Sequence, residues 1–390
     1  MRWRQEYWTS IVLAFSLNTF AVGQSAVITL VFPSGARSLA MGEVGTALGD
    51  DESVLFYNPA GLGIQNSRWD RGAATESYEP LLPAFKIPDL WHVHWAGIYQ
   101  SPNPAVGGFA GDLNYINFGL NTSTDSLGRE LARYQSYEYV ASAAWGFSLD
   151  EIGIKDHYWG VALKLVYSAL APGIGPGNEG IGTTYAFDVG YLWKFLPFMR
   201  FGLTFANMGP SIYYVTQSES DPIPFTINLA LAYKNSFSVS GFHLLDVNAE
   251  FRAEREIVKN YPDKQPDPFY VAVWTGMLDD KSDYPTLQSN LEEINCHIGG
   301  EVTFANTFSL RHGFLLDVVG RRYETHLGFG IRIYDHFQWD FAYIISPEGY
   351  FRGIFPDGSN GSRDGQWTTT FTFFRIGSWS PADGKWWLKP

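Results

Sequence analysis

His92 and His94 stand two residues apart in the run Trp91–Gln100, so on a strand they share one face and could supply half of a zinc site. The sequence shows no third ligand, and the default reading is a pair of histidines lining an interior or an interfacial belt. Asp246, Glu250 and Glu254 fall at even spacing, which would place three carboxylates on one face of a strand as acid/base partners for a hydrolase. No serine nucleophile motif accompanies them, so a polar lining paired with Arg252 and Lys234 is preferred. The segment Gly173–Gly182, GIGPGNEGIG, resembles a phosphate-cradling loop, yet such loops run into a helix and here a strand follows. The oxygen-rich stretch Asp357–Asp364 could hold calcium but lacks the spacing and terminal Glu of an EF-hand. The single Cys296 excludes an internal disulfide framework. The expectation is therefore no catalysis, no metal and no cofactor, and the elements that carry these residues become the question.

The chain has 390 residues, 45% hydrophobic, 17% aromatic and 17% charged, with 40 Gly and 21 Pro. Such low charge and high hydrophobicity exclude a disordered chain. The 27 basic against 40 acidic residues leave a formal charge of −13, which argues against nucleic acid as a partner. Residues 1–23 read as a secretory signal peptide: Arg2 and Arg4, the apolar stretch Ile11–Val22, then small residues before Gln24. No other run approaches the length of a transmembrane helix.

Beyond about residue 91 the sequence alternates with a period of two. Tyr323, Thr325, Leu327, Phe329, Ile331 and Ile333 oppose Glu324, His326, Gly328, Gly330 and Arg332. Period two means a strand with one apolar and one polar or small face. The segments expected as strands are 68–77, 91–100, 105–121, 134–149, 157–168, 183–195 and 198–208. They continue at 223–235, 243–255, 294–304, 307–316, 323–334, 336–346 and 366–375. Fourteen is an even number, and the segments are longer than strands of soluble proteins. Aromatic residues near segment ends, such as Trp145, Phe147, Trp159, Tyr167, Tyr185 and Trp193, suit interfacial girdles. The opposite face carries Lys164, Asp188, Lys234, Asp246, Glu250, Arg252, Glu324, Arg332 and Asp340, costly in a dry core but tolerable in a watery lumen. Connections after even segments are short, and those after odd segments (78–90, 122–133, 169–182, 209–222, 256–293, 347–365) are long, 317–322 excepted. The fold class is thus all-β, a transmembrane antiparallel barrel of about 14 strands spanning residues 67–377, with an aromatic tail at 378–390. The apolar run Phe269–Trp274 could add a further hairpin arm.

Residues 24–66 precede the barrel and are rich in small residues, as a compact plug in a lumen would be. Within them Gly35-Ala36-Arg37, Met41-Gly42, Asp50-Asp51 and Asn58-Pro59-Ala60-Gly61-Leu62 resemble the N-terminal signature of the PorV/PorQ family, itself similar to FadL-type fatty-acid channels. The motif match covers about thirty residues, and the remaining resemblance is architectural. The resemblance implies a hatch inside the lumen. For PorV-like members it implies a role in type IX secretion, receiving cargo from secretion components and presenting it at the surface. For FadL-type members it implies uptake of a hydrophobic small molecule that leaves through a gap in the wall. Such barrels commonly finish on an aromatic of the last strand, which Phe371, Phe373 and Phe374 fit, yet this chain runs on to Pro390.

The reading preferred from sequence is an outer-membrane barrel surrounded by lipid that moves or tethers exported proteins. The alternative is a FadL-like channel, with an apolar pocket near the outer rim formed by Leu81, Leu82, Phe85, Tyr213 and Tyr214.

Overall fold

The computed structural model describes residues 25–64, 69, 72–173, 180–240, 242–258, 265–276, 292–333 and 336–376. The expected signal peptide, the tail at 378–390, the centre of the glycine-rich loop and much of 256–293 lie outside the described residues.

Alternation of apolar and polar residues produces fourteen strands. They are β1 (Gly72–Pro80), β2 (Trp91–Gln100), β3 (Gly108–Thr124), β4 (Glu130–Ser148), β5 (His157–Ala169), β6 (Ile181–Leu196) and β7 (Met199–Met208). The second half holds β8 (Thr226–Val239), β9 (Phe242–Glu256), β10 (Asn295–Phe304), β11 (Phe308–Asp317), β12 (Arg322–Ile333), β13 (Phe337–Ile345) and β14 (Trp367–Phe374). Each pairs antiparallel with its sequence neighbours, and β1 pairs with β14, so the barrel is closed. The closing register runs from Ala73 opposite Phe374 to Tyr78 opposite Thr369. No described helix is long and apolar enough to cross a membrane.

On β5, Trp159, Val161, Leu163, Leu165 and Tyr167 face outward, while Gly160, Ala162, Lys164, Val166 and Ser168 are buried toward the lumen. Outward aromatics meet across neighbouring strands in two belts. The outer belt links Phe341, Trp367, Tyr78, Trp91, Tyr115, Tyr137 and Tyr167 at centroid separations of 5.4–6.4 Å. The inner belt includes Phe109–Trp145, Trp159–Tyr191, Phe198–Tyr233 and Phe337–Phe373. Trp159 and Tyr167 are eight residues apart on β5. At the usual rise and tilt that separation is about 20 Å, close to the apolar band of a membrane barrel.

Three expectations change. The β3–β4 connection is not 122–133 but 125–129, because both strands continue past the outer belt as a standing hairpin. Its tip is set by Asp125, whose carboxylate accepts the Leu127 and Arg129 amides. The described first strand is Gly72–Pro80, so it runs past the expected end at 77, while residues 68, 70 and 71 lie outside the described residues. The apolar run at 269–274 is not a hairpin arm but helix, Phe269–Thr275. A short apolar run does not distinguish strand from helix by period.

The wall makes a direct prediction. Leu163→Arg places a cation in mid-band and should cost about 2–4 kcal/mol. Ala162→Ser, facing inward on the same strand, should cost less than about 1 kcal/mol. Urea unfolding in lipid vesicles compares them; equal costs would contradict the assigned faces.

Candidate functional site

Residues 25–64 fill the lumen. The chain enters through a 3-10 turn at Ile28–Leu30, forms α1 (Ala36–Ala40), turns along the wall, and forms α2 (Val54–Tyr57) before a second 3-10 turn at Pro59–Gly63. Gly35 and Gly42, with φ of 91° and 73°, bracket α1 in left-handed backbone that glycine adopts without strain. In the Asn-Pro-Ala-Gly block, the Asn58 carboxamide oxygen accepts the Ala60 amide at 3.0 Å. Its nitrogen donates to the Thr46 carbonyl at 2.8 Å and to the Tyr191 carbonyl of β6 at 3.0 Å. Pro59 occupies the first turn, where its missing amide hydrogen is not needed. One side chain therefore caps the turn and pins the hatch to the wall.

The hatch is also held by charge. Glu250 of β9 accepts four consecutive hatch amides, those of Gly45, Thr46, Ala47 and Leu48, at 2.7–3.0 Å. Successive amides facing one carboxylate make an anion nest. Arg37 on α1 bridges Asp50 (2.9 Å) and Asp51 (2.6 Å) within the hatch and forms a two-pronged pair with Glu301 of β10 at 3.0 and 2.9 Å. Glu301 also receives Arg311 of β11 at 2.6 Å, and Arg311 reaches Asp340 of β13 at 2.7 Å. Lys234 of β8 pairs with Asp50.

A second network ties the hatch to an outer connection. Arg363, between β13 and β14, meets Glu43 of the hatch at 2.5 Å and Glu324 of β12 at 3.1 Å. Burial lowers the Arg363 pKa, but Glu324 and Glu43 outweigh it and hold the guanidinium above its ordinary value. Burial raises Glu43, but Arg363 and Arg322 pull its carboxyl well below the usual range. The depressed carboxyl contributes its full stabilisation above its unfolded pKa, and that contribution is lost progressively as pH falls from there to the lowered folded value.

The remaining polar residues read from the sequence take separate places. Lys164 pairs with Asp188 at 2.7 Å and donates to Asn207 at 2.6 Å, whose carboxamide reaches the hatch carbonyl of Leu30. Arg252 meets Glu254 at 2.8 Å and lies 5.1 Å from the Tyr57 ring centroid, so it is not the partner of Glu250. Asp246 sits low on β9 with Ser236 and His243. Arg332 bonds Gln338 and lies over the Phe374 ring. His92 contacts Asn114 at 3.1 Å, and His94 lies 3.4 Å from Asp112. Among the described residues no group of three or more His, Cys, Asp or Glu could hold a metal. In the oxygen-rich turn, Arg321 occupies the Asp357 and Gly358 carbonyls and Ser346 the Asp364 carboxylate.

The five apolar rim residues are not brought together. Leu81, Leu82 and Phe85 belong to the β1–β2 connection, whereas Tyr213 and Tyr214 belong to β7–β8, almost across the barrel. Leu81 is buried, and Phe85 and Tyr213 are exposed. Tyr214 instead packs on an apolar cluster at the outer end of the lumen: Val27, Leu30, Val140, Val166, Ala186, Ile212 and Ile223. Beside it, Glu138 of β4 accepts the Thr29 hydroxyl at 2.7 Å and the Ser168 hydroxyl at 2.8 Å, and the Tyr214 hydroxyl donates to Ser168. Sequence reasoning missed this cluster because its members come from the hatch, three strands and a loop. It also missed the wall glycines that make room for the hatch. A Cβ at Gly146 or Gly160 would strike Pro59; at Gly190, Asn58; at Gly202, Thr46; at Gly299, Met41. Their signal was available as glycine recurring on the lumen-facing side of successive strands.

These features define a closed fourteen-stranded transmembrane-type barrel whose lumen is filled by its own N-terminal segment. That fold is shared with the P. putida toluene transporter TodX, at 10% identity over 87% of this chain and 97% of that one, with a TM-score of 0.51. The Ralstonia pickettii toluene transporter TbuX overlaps at 12% identity, 88% and 98% coverage and a TM-score of 0.45. A Pseudomonas aeruginosa FadL homologue overlaps at 10% identity, 87% and 98% coverage and a TM-score of 0.45. No protein-family profile and no curated protein matches the sequence. The PorV/PorQ resemblance gains no support from these matches.

Glu250→Ala should strand four hatch amides and weaken seating of the hatch by about 2–5 kcal/mol. Gly160→Val should displace the Pro59 turn by overlap. Both variants should raise ion conductance in planar bilayers while keeping the heat-resistant mobility of a folded barrel. Wild-type conductance in both would refute the hatch as the seal.

Proposed function

We propose that this chain is an outer-membrane channel admitting hydrophobic small molecules, in preference to a component that receives or tethers exported proteins. The observation that carries this reading is the buried apolar cluster of Val27, Leu30, Val140, Val166, Ala186, Ile212 and Ile223, where the first turn of the hatch packs on the wall at the outer end of the lumen. An apolar solute gains from leaving water for such a surface, and the Glu138, Ser168 and Tyr214 set beside it offers a polar handle. The shared fold with a barrel described as a toluene transporter supports the same direction. Passage of a protein tail would need a wide polar bore, whereas the hatch occupies the lumen from residue 25 to 64. The 3-10 turn carrying Leu30 would have to shift to open this cluster to a small apolar molecule. That turn is bound to the wall by neutral contacts and by Glu138, not by the arginine networks deeper in.

Leu30→Asp and Ile223→Asp should each cut the initial rate of toluene or fatty-acid uptake by about tenfold, the effect of roughly 1.4 kcal/mol. Uptake is measured in cells expressing each variant at equal levels of folded barrel. Uptake no faster than in cells without the protein, together with co-isolation of exported proteins from native membranes, would overturn the channel reading in favour of secretion.

A further inference from the structure

The helix at Phe269–Thr275, here α3, lies in the long connection after β9, yet it folds back onto the outward side of the wall. Ala272 is buried with Met208, Phe225 and Ile257, and outward-facing Phe187, Phe205 and Ile227 pack beside them. Phe187 is two residues further into the membrane band than outward, exposed Tyr185 on the same strand. Backbone pairing is interrupted at this site. The β7–β8 ladder ends at Ala206 opposite Thr226, and the β6–β7 register shifts between Phe187 and Val189. The segment that follows contains Pro222 and Pro224, which have no amide to donate.

The sequence of α3, FYVAVWT, carries no charge. Its outer face is as apolar as its buried one: Tyr270 and Trp274, one turn apart, are 63% and 73% exposed. A helix apolar all round belongs in a core or in lipid rather than in water. Charge is confined to its margins. Arg255 reaches the Gly276 carbonyl past the helix end and pairs with Glu293 at 2.7 Å, while Asp267 accepts the Thr275 hydroxyl.

We propose that α3 is embedded in the outer leaflet, with Tyr270 and Trp274 against lipid acyl chains. The exposed face is continuous with the lipid-facing wall, and non-strand backbone at membrane depth is tolerated where protein covers it. α3 supplies that cover over the end of the β7–β8 ladder. This inference does not depend on what the lumen transports.

The test is spin-label accessibility in phosphatidylcholine vesicles, in a Cys296→Ser background. Trp274→Cys and, independently, Tyr270→Cys are labelled with a nitroxide. Leu163→Cys serves as the lipid reference and Leu127→Cys, on the standing hairpin, as the water reference. Labels at 274 and 270 should collide with oxygen as at 163 and exclude a water-soluble nickel chelate. Nickel accessibility matching 127 would overturn the proposal. Exclusion of both reagents, or spin–spin broadening between molecules, would overturn it in favour of a protein partner or a second copy. Heat-resistant mobility confirms that each labelled barrel is folded.

Discussion

A backbone amide in hydrocarbon has no water to bond, so a sheet that crosses a bilayer must leave no edge. Here the pairing of β1 with β14 meets that constraint, and the hydroxyls of Thr75 and Thr372 meet across the seam on the lumen side. Closure fixes which face of every strand meets lipid, and with it the two-residue alternation and the aromatic belts. It also creates an interior that the wall side chains alone do not fill. On the proposal above, α3 covers the outer end of the β7–β8 ladder for the same reason.

The interior is filled by apolar hatch–wall clusters, such as Val54, Leu55 and Leu62 against Ala144 and Ala162, with charge networks set among them. A buried ion left without its partner is strongly destabilising, and a pair is tolerable only when well bonded. In this lumen the pairs join hatch to wall: Arg37 to Glu301, the amides of residues 45–48 to Glu250, Glu43 to Arg363. Pulling the hatch out as one body would take Glu250 of β9 from its amides, Glu301 of β10 from Arg37 and Arg363 from Glu43 together, so the networks specify its seat. The N-terminal turn lies outside the arginine networks, held instead by Glu138, Asn207 and apolar side chains. The proposed channel reading rests on this difference between the arginine-held seat and the first turn.

Strand positions were legible because lipid and lumen impose opposite chemistry on neighbouring residues. Inward charges such as Lys164, Asp188 and Glu324 were legible for the same reason. Their partners were not, because Arg37 and Glu301 are separated by 264 positions and nothing local joins them. Glu250 shows the limit well: an inward carboxylate implied a cationic partner, yet its partners are four backbone amides, which carry no sequence signature. The Asn58 block was visible as a turn, but its second role required knowing that Tyr191 lies beside it. The standing hairpin escaped because Asn121–Thr124 is uniformly polar, so the two-residue alternation lapses there while the backbone pairing runs on.

Amide hydrogen exchange of the lipid-embedded protein tests the seating of the hatch most directly. The amides of Gly45, Thr46, Ala47 and Leu48 should exchange as slowly as those in the middle of β9, because each is bonded to Glu250 inside a closed wall. The amides of Thr29 and Leu30 should exchange faster than these four. Exchange at residues 45–48 as fast as at the β3–β4 hairpin tip would contradict a hatch held by charge.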